Sequence, residues 1–440
     1  MKLSIKNISV NILLIASIIP AYWFLGGSKL LNIVYLFATF AFLFSKTKIR
    51  IRKINLIFIY LLTLFIGCLQ ILKDSSFTAL LMEMISSLFI VIIISQSIST
   101  KVEFYNAIDF LIYLCSPLLI LGVLEAIMGY NIFQNFFLTY SSAYFYKEIR
   151  LGIFRIASVF GHPIVYCHYL SLIGALVLYR LDCNIPEKKK HFFQIIYFLL
   201  IINVLFTLSR SFLLVFVAEQ IVFLFVKGIK LFSKKSIFIG FAAIILLITS
   251  ELLDLGINQQ IGNVFKMIMQ VFGLDVGDYS TDFSNTGYNS VEGDRLRLYS
   301  WVTMAVGDNV LFGKGTNAQF SFMASEYREK TSIENYYLST YFHHGLFGLV
   351  LVCIGFILLL IYAVSNIYNN KKQRIKFKDE NKLTFDFIFI VLLIGSIIGY
   401  FMIDKSGEIR TLYCIIGLMI SYNSILLRDY TDRKEKLSCV

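Results

Sequence analysis

Apolar runs of roughly twenty residues recur along almost the whole sequence, and they limit the possible fold more than any motif does. A helix of about twenty residues is long enough to cross a ~30 Å hydrocarbon layer. With 58% hydrophobic and only 15% charged residues, the chain is too apolar for a soluble domain. We therefore expect an all-α fold, a polytopic membrane helix bundle of about 12 transmembrane helices. The predicted spans are 9–27, 30–45, 54–72, 79–98, 108–127, 162–180, 192–208, 211–229, 236–253, 341–366, 383–403 and 411–427.

The basic residues predict how this bundle is oriented. If the N-terminus is cytoplasmic, the cytoplasmic termini and connections hold 26 of the 40 Lys and Arg residues, as the positive-inside rule requires. Both termini are then cytoplasmic. The first apolar run follows only Lys2 and Lys6 and has no small-residue cleavage site, so we expect a retained first span and no removed signal peptide. The net charge of +12 is thus a topology signal and predicts no nucleic-acid partner.

One long polar interval, residues 254–337, separates the ninth predicted span from the tenth and is predicted to be extracytoplasmic. It holds ten acidic and six basic residues, so it is not a polybasic lipid-binding surface, and its few arginines are candidates for specific roles. No Cys/His spacing in the chain is typical of a zinc site, so no metal site is predicted. The expected organisation is a bundle of spans one to nine (1–253), a long, partly helical loop (254–337), and spans ten to twelve with a cytoplasmic tail (338–440).

A first candidate site residue is Arg210, in the polar break T-L-S-R-S between two apolar runs at the predicted outer surface. Charged residues at such places are functional candidates because burying them is costly. A guanidinium binds phosphoryl oxygens in pairs, so Arg210 is a candidate phosphate or pyrophosphate ligand. The alternative is an interfacial arginine that reaches lipid headgroups.

A second arginine, Arg155, lies in G-I-F-R-I-A-S-V-F-G-H-P, just before the sixth predicted span. Pro163 suits the first turn of that helix, and helix N-termini favour anions. His162 could contribute to such an anion site or could make a structural hydrogen bond at the helix start. Arg150 adds positive charge nearby and is a further candidate for substrate binding.

Within the long interval, Arg295 and Arg297 open a segment whose apolar residues fall at 298, 301, 302, 305 and 306. This spacing predicts an amphipathic helix. Arg295 lies near the edge of the apolar stripe, so it is the arginine expected to face the membrane site. Arg297 points away from the stripe and is expected to be solvated, with a substrate contact as its alternative.

A last cluster, S-I-E-N-Y-Y-L-S-T-Y-F-H-H-G, leads into the tenth predicted span. Glu334 is a candidate general base, or alternatively a carboxylate that complements the helix dipole. Asn335 and Tyr337 are candidates for positioning a sugar hydroxyl. His344 lies deeper and is a candidate for lining the same cavity.

In this order, these segments resemble the O-antigen polymerase and ligase superfamily, the Wzy-type membrane glycosyltransferases. The resemblance covers about residues 150–350. It rests on the Arg155 segment ending in Pro163, the T-x-S-R-S element, the Trp301 helix followed by F-G-K-G, and the x-N-x-Y-L element followed by Gly345 and Gly348. The ligase branch has histidine immediately before the asparagine; this chain has Glu334 there, which favours a polymerase of O-antigen or capsular polysaccharide.

The resemblance implies an undecaprenyl-pyrophosphate-linked oligosaccharide as substrate, presented on the outer face of the bacterial plasma (inner) membrane. Repeat units would be joined with release of polyprenyl pyrophosphate and inversion of the anomeric centre. Arg155 and Arg210 would bind the pyrophosphate, and Arg295 the pyrophosphate or the glycan, roles that need no cofactor. Membrane lipids and a chain-length regulator protein are the other implied partners.

Two alternatives remain open from the sequence. The first is a ligase that transfers glycan to a lipid or protein acceptor. The second is a flippase or other transporter of lipid-linked oligosaccharide, which is favoured by charged residues inside the spans. Such residues are Glu83, Asp109, Glu219 and Asp386. For Glu219 and Asp386, a structural partner within the bundle is the default interpretation.

Overall fold

The computed structural model describes most of the predicted spans and the two ends of the long interval. The described residues are 5–19, 24–25, 28–45, 85–133, 149–150, 153–227, 291–315, 318–325, 328–330, 333–377, 385–401 and 409–438. The helices that they form are α1 (Ile5–Ala16), α2 (Leu30–Phe44), α3 (Ile90–Ser97, after a π-helical turn at Ile85–Phe89), α4 (Lys101–Met128), α5 (Pro163–Asp182), α6 (Glu187–Phe206), α7 (Arg210–Lys227), α8 (Val291–Val306), α9 (Tyr336–Phe377), α10 (Phe385–Gly399) and α11 (Ile409–Ser438).

Five of these helices are long and apolar enough to cross a membrane. Their spanning parts are Lys101–Met128, Pro163–Asp182, Glu187–Phe206, Tyr336–Asn369 and Arg410–Asp429. Five further predicted spans appear as shorter apolar helices, namely Asn7–Ala16, Leu30–Phe44, Ser87–Ser97, Phe212–Phe223 and Phe385–Gly399. The predicted spans 54–72 and 236–253 lie outside the described residues. The structure is thus that of a helical membrane protein, with five candidate spans in its described part against the 12 that hydropathy predicts.

The fold is all-helical in class, as predicted, although the connections also contain three short antiparallel hairpins. These are β1 (Phe24–Leu25) with β2 (Ser28–Lys29), β3 (Ile149–Arg150) with β4 (Ile153–Phe154), and β5 (Phe322–Ser325) with β6 (Arg328–Lys330). Strands of two to four residues carry too little alternation to be recognised in sequence. The helical character of the spans is unaffected.

The first predicted span, 9–27, is also wrong in its extent, because α1 ends at Ala16. The chain then turns at Ser17–Ile19, where the Ser17 hydroxyl donates to the Leu14 carbonyl at 2.6 Å. Pro20 follows, and a proline disfavours helical backbone in the residue before it and has no N–H to donate. Hydropathy could not show this end because the residues around Pro20 are as apolar as those within α1.

The exposed side chains of the helices are largely apolar, as expected for surfaces that face lipid. Large apolar side chains more than half exposed include Phe37, Phe40, Phe44, Ile127, Phe225, Ile361 and Val364. In water, so many exposed large side chains would form unfavourable patches. Contact with membrane lipids accounts for them.

The chain divides into two compact units. The first comprises 1–110, 290–380 and 384–440, and the second 111–289 and 381–383. In the second unit, α5 packs on both α6 and α7. All but the ends of α5 are buried, so it is the central helix of this unit.

In the first unit, α3 packs on α11 and α1, while α9 packs on α10 and α8. Arg410, near the start of α11, donates from Nη1 to the Ile19 carbonyl at 2.8 Å. It thereby satisfies a carbonyl just beyond the short helix α1, where backbone acceptors would otherwise lack partners.

The helix α9 is interrupted inside its apolar run, at Gly345, whose φ and ψ are 68° and −169°. The F-G-K-G turn of the long interval, residues 312–315, forms backbone hydrogen bonds with α9 at this interruption. The amides of Lys314 and Gly315 donate to the carbonyls of Phe342 and His343 at 2.8 and 2.9 Å.

In return, the amides of Leu346 and Phe347 donate to the carbonyls of Val310 and Leu311, at 2.9 and 3.1 Å. A Cβ atom at Gly313 would come within 2.5 Å of the Gly345 nitrogen, and one at Gly345 within 2.3 Å of the Leu311 carbonyl. The two glycines therefore allow a backbone-to-backbone contact that no side chain could enter. The interruption of α9 is the place where the F-G-K-G turn packs on this helix.

The amphipathic helix predicted after Arg295 is confirmed as α8. Leu298, Trp301, Val302 and Val306 are buried with Ile333, Tyr341 and Phe342 in one apolar cluster, and Ala305 packs against it. Trp301 also stacks on Phe322, with ring centroids 5.4 Å apart. The long interval is thus anchored by α8 to the first turns of α9.

Candidate active site

In the second unit, the structure brings the Arg155 segment against the T-L-S-R-S turn. Arg155 Nε donates to the carbonyl of Thr207 at 3.0 Å. The next residue, Ile156, donates its amide to the Phe206 carbonyl at 3.2 Å. Thr207 lies three residues before Arg210, the first residue of α7, so the backbones of both predicted arginines meet at one end of the α5–α6–α7 helices.

The turn between α6 and α7 is tight and is held by the side chain of Thr207. The Thr207 hydroxyl donates to the Val204 carbonyl at 2.7 Å and accepts from the Ser209 amide at 3.4 Å. Leu208 between them has φ of 48°, a left-handed value that costs about 1 kcal/mol or more for a side chain of this kind. The position at which α7 starts, and with it Arg210, is therefore closely determined.

The opposite ends of α5 and α6 carry a cluster of basic residues. Arg180 lies in the last turn of α5, and Lys188, Lys189 and Lys190 lie in the first turn of α6. Lys189 Nζ lies 5.8 Å from the centroid of the Tyr113 ring of α4. The basic end and the Arg155 end are thus separated by the length of α5. This is the arrangement that the positive-inside rule predicts if the Arg155 end is the outer one.

His162 takes the structural role that was one of its two alternatives. It is the N-cap of α5, and its Nδ1 accepts from the Ile164 amide at 3.2 Å. Pro163 occupies the first helical position, as predicted. Arg150 lies in strand β3, where it pairs with Ile153 of β4, and this hairpin leads directly to Arg155.

In the first unit, the Glu334 cluster forms the start of α9, where Asn335 is an N-cap residue. Its Oδ1 accepts from the amides of Tyr337 and Leu338 at 2.9 and 3.0 Å. Its Nδ2 donates to the Phe401 carbonyl beyond α10 at 3.0 Å. Glu334 precedes the cap and is partly buried, so its carboxylate lies at the N-terminal mouth of α9.

Tyr337 and its neighbour bind the end of α10. The Tyr337 hydroxyl donates to the Ile397 carbonyl at 2.8 Å, and the Tyr336 amide donates to the Tyr400 carbonyl at 2.9 Å. These bonds satisfy carbonyls at a helix C-terminus. They fix the position of α9 against α10 and therefore the position of Glu334.

The remaining predicted site residues of this unit are distributed along α8 and α9. Arg295 lies in the first half of α8, four residues after Val291. Arg297 is exposed, as expected for a solvated arginine. His344 lies at the interruption of α9 and is partly buried, while the preceding His343 places its Nδ1 2.9 Å from the Gly315 carbonyl.

The predicted site residues thus fall into two sets, one in each unit. Arg155, Arg210, Arg150 and His162 belong to the second unit, and Arg295, Arg297, Glu334, Asn335, Tyr337 and His344 to the first. Within the parts of the chain that the structure describes, no group of three or more His, Cys, Asp and Glu side chains is placed to hold a metal ion.

Two of the acidic residues that favoured a transporter, Glu219 and Asp386, have interhelical partners. Glu219 of α7 accepts from the Ser171 hydroxyl of α5. Asp386 of α10 accepts from Nδ2 of Asn423 of α11 at 2.6 Å. The default structural interpretation is confirmed for these two residues, whereas Glu83 lies outside the described residues.

One buried acid at the Arg155 end, Glu125, was missed in the sequence. It is fully buried near the C-terminus of α4, and its Oε2 accepts from the amides of Ala157 and Ser158 at 3.1 and 2.9 Å. A signal was present, because Glu125 is the only charged residue between Phe110 and Met128, and an isolated charge in an apolar run is a functional candidate.

Comparison with known proteins agrees with the resemblance seen in the sequence. Residues 195–353 match the family model described as O-Antigen ligase. The match begins in α6 and ends in α9, and it includes Arg210, Arg295 and Glu334. It supports the O-antigen ligase superfamily, whose members are membrane enzymes that act on lipid-linked glycans, and it does not separate polymerase from ligase. No curated protein matches the sequence significantly.

Proposed function

We propose that this protein is a polysaccharide polymerase of the membrane. It would join polyprenyl-pyrophosphate-linked oligosaccharide repeat units on the outer face of the plasma membrane and release polyprenyl pyrophosphate. The observation that carries the proposal is the 3.0 Å hydrogen bond from Arg155 Nε to the Thr207 carbonyl. It joins two arginine-bearing segments that lie 52 residues apart in the sequence.

In the proposed reaction, a hydroxyl at the non-reducing end of one repeat unit attacks the anomeric carbon of another. A new C–O bond forms as the bond between that carbon and the pyrophosphate breaks, and the bonding electron pair leaves with the pyrophosphate. The hydroxyl proton passes to a base. An attack opposite to the leaving group inverts the anomeric centre.

The arginines have the role of stabilising the leaving group. Negative charge grows on the pyrophosphate as the bond breaks, and preorganised guanidinium groups at that place lower the barrier. We assign this role to Arg155 and Arg210, with Arg295 on the pyrophosphate or the glycan. Glu334 is assigned to the acceptor hydroxyl as base or orienting group.

The remaining candidate residues of each unit are assigned to substrate binding. Tyr337 and Asn335 position the acceptor side through the start of α9. The remaining candidates for binding are Arg297, His162, Arg150 and His344. A chain-length regulator protein is the proposed macromolecular partner.

The decisive experiment uses the purified full-length protein and a synthetic undecaprenyl-pyrophosphate repeat unit. We expect a ladder of products with one repeat unit per step. Arg210→Ala should slow its formation by about 10²-fold or more, the size of effect seen when one charge-stabilising donor is removed. The matched control is Lys188→Ala, which removes an exposed positive charge at the opposite end of α6 and should leave the ladder unchanged. An unaltered ladder in Arg210→Ala would remove this arginine from the site.

The second candidate function is the ligase, which the description of the matched family favours. The two reactions share the donor and differ in the acceptor. A single repeat unit that is extended stepwise supports the polymerase. If the protein instead moves a finished chain onto another lipid or protein acceptor and never extends a repeat unit, the ligase is correct.

A further inference from the structure

Each residue of the segment Arg155–Ser158 is held by a hydrogen bond to another element of the second unit. Arg155 and Ile156 bind the end of α6, as described above. Ala157 and Ser158 donate their amides to Glu125 Oε2 of α4. The Ser158 carbonyl also accepts from Nδ2 of Asn131, at 3.0 Å. Four consecutive residues are therefore fixed from two sides.

The backbone of this segment is strained. Ser158 has φ of 48°, a left-handed conformation that non-glycine residues adopt only when their surroundings impose it. The surroundings here are the two hydrogen bonds that the amides of Ala157 and Ser158 donate to Glu125, and the one that Asn131 donates to the Ser158 carbonyl. The strain indicates that contacts with other elements, and not local backbone preference, hold the segment in this conformation.

The acid that holds the segment is itself unfavourably placed for stability. Glu125 is fully buried, and burying a carboxylate costs several kcal/mol unless it is paired. It lies in the last turn of α4, where the helix dipole disfavours negative charge. Its Oε1 is buried without a hydrogen-bond partner among the residues that the structure describes. A buried acid with these costs and only two amide partners requires an explanation other than stability.

We propose that Glu125 is a positioning residue of the active site and acts through Arg155. Its carboxylate accepts hydrogen bonds from the amides of residues 157 and 158 and so fixes the backbone that carries the Arg155 side chain. This keeps Arg155 in position against the turn that precedes Arg210. This inference rests on the proposed function, because it assumes that Arg155 binds the leaving pyrophosphate. Displacement by about 1 Å is enough to lose about 10²-fold in rate at such a site.

The test is a double-mutant cycle on the rate of the ladder reaction. Glu125→Ala and Arg155→Ala are each expected to lower kcat/KM by about 10²-fold. If Glu125 acts only through Arg155, the double variant should be no slower than Arg155→Ala, within about threefold. Residues that act as one unit are non-additive in this way. A purely structural effect of Glu125 would instead slow both backgrounds equally, and such additivity would overturn the proposal.

A conservative variant adds a second criterion. The amide oxygen of Glu125→Gln can accept the same two backbone N–H groups, so this variant should retain most of the activity, within about tenfold of wild type. If Glu125→Gln is as slow as Glu125→Ala, the proposal is wrong, because the carboxylate then acts by its charge or as a proton acceptor.

Control variants distinguish a folding defect, failure of the proposed function and failure of the proposed role of Glu125. Glu187→Ala removes an exposed acid at the basic end of α6 and should not change the rate. Where Glu125→Ala does not fold, Glu125→Asp replaces it in the cycle, since it withdraws the carboxylate by about one C–C bond, ~1.5 Å. If the wild-type protein forms no ladder, the proposed polymerase function fails. If wild type is active and the cycle is additive, only the role of Glu125 fails.

Discussion

At the scale of single residues, Asn335 shows how one side chain can unite a structural and a functional interpretation. Its oxygen caps α9 and its nitrogen bridges to the Phe401 carbonyl. The sequence predicted that this amide positions a sugar hydroxyl, which stays a prediction. The cap gives Asn335 a structural role as well, because it fixes the helix start next to Glu334.

Two substitutions separate the two functions of the Asn335 side chain. Asn335→Ala removes the cap and should destabilise the protein by about 1 kcal/mol. Asn335→Asp keeps an acceptor for the amides of Tyr337 and Leu338, and its charge suits a helix N-terminus, so its stability should stay near wild type. Thermal unfolding in detergent measures both.

The bridge to Phe401 is lost in both variants of Asn335. If the bridge positions Glu334, both should reduce the rate of glycan transfer, although only Asn335→Ala is destabilised. A rate that follows stability alone would contradict this assignment.

At the scale of elements, α8 is one of two parts of the long interval that the structure ties to a span, the other being the F-G-K-G turn. The buried stripe of α8 packs on Ile333, Tyr341 and Phe342 at the start of α9. The apolar stripe was readable in the sequence because its spacing follows the helical repeat. The partner of the stripe was not readable, since it lies in another element.

Trp301→Ala should therefore loosen the packing of α8 on the start of α9. The side chain is 7% exposed, and removing a buried Trp costs about 3–5 kcal/mol. Tyr299→Ala is the matched control, because Tyr299 lies on the same helix and is 64% exposed. We expect limited proteolysis to cleave within 254–337 faster in Trp301→Ala and at the wild-type rate in Tyr299→Ala. Equal rates for all three proteins would show that the stripe does not anchor the interval.

Other elements show why only part of the structure follows from the sequence. Hydropathy located most of the spans because any apolar residue contributes to it, whatever the backbone does. For the same reason it could not reveal the end of α1 at Ala16 or the interruption of α9 at Gly345. Glu125 was missed because its partners lie 32 and 33 residues away, so no local pattern joins them. Arg155 and Arg210 were found because each stands in a polar segment beside an apolar run.

At the scale of the whole molecule, the distribution of basic residues makes the orientation testable. The basic ends of α5 and α6 are predicted to be cytoplasmic and the long interval extracytoplasmic. Lys188 and Tyr299 are both exposed, and they are predicted to lie on opposite sides of the membrane.

Cysteines introduced at these two positions report the side directly. A membrane-impermeant maleimide should label Tyr299→Cys in intact cells and Lys188→Cys only after the membrane is permeabilised, with the unsubstituted protein as background. The reverse pattern would place the Arg155 end in the cytoplasm. Lipid-linked repeat units presented outside could then not reach it.

The close approach of Gly313 to Gly345 has a consequence for how relatives of this protein can diverge. Since neither position admits a Cβ atom, drift at one glycine cannot be rescued by an ordinary change at the other, and both should persist together. A sequence that keeps this contact between loop and span should therefore keep both glycines.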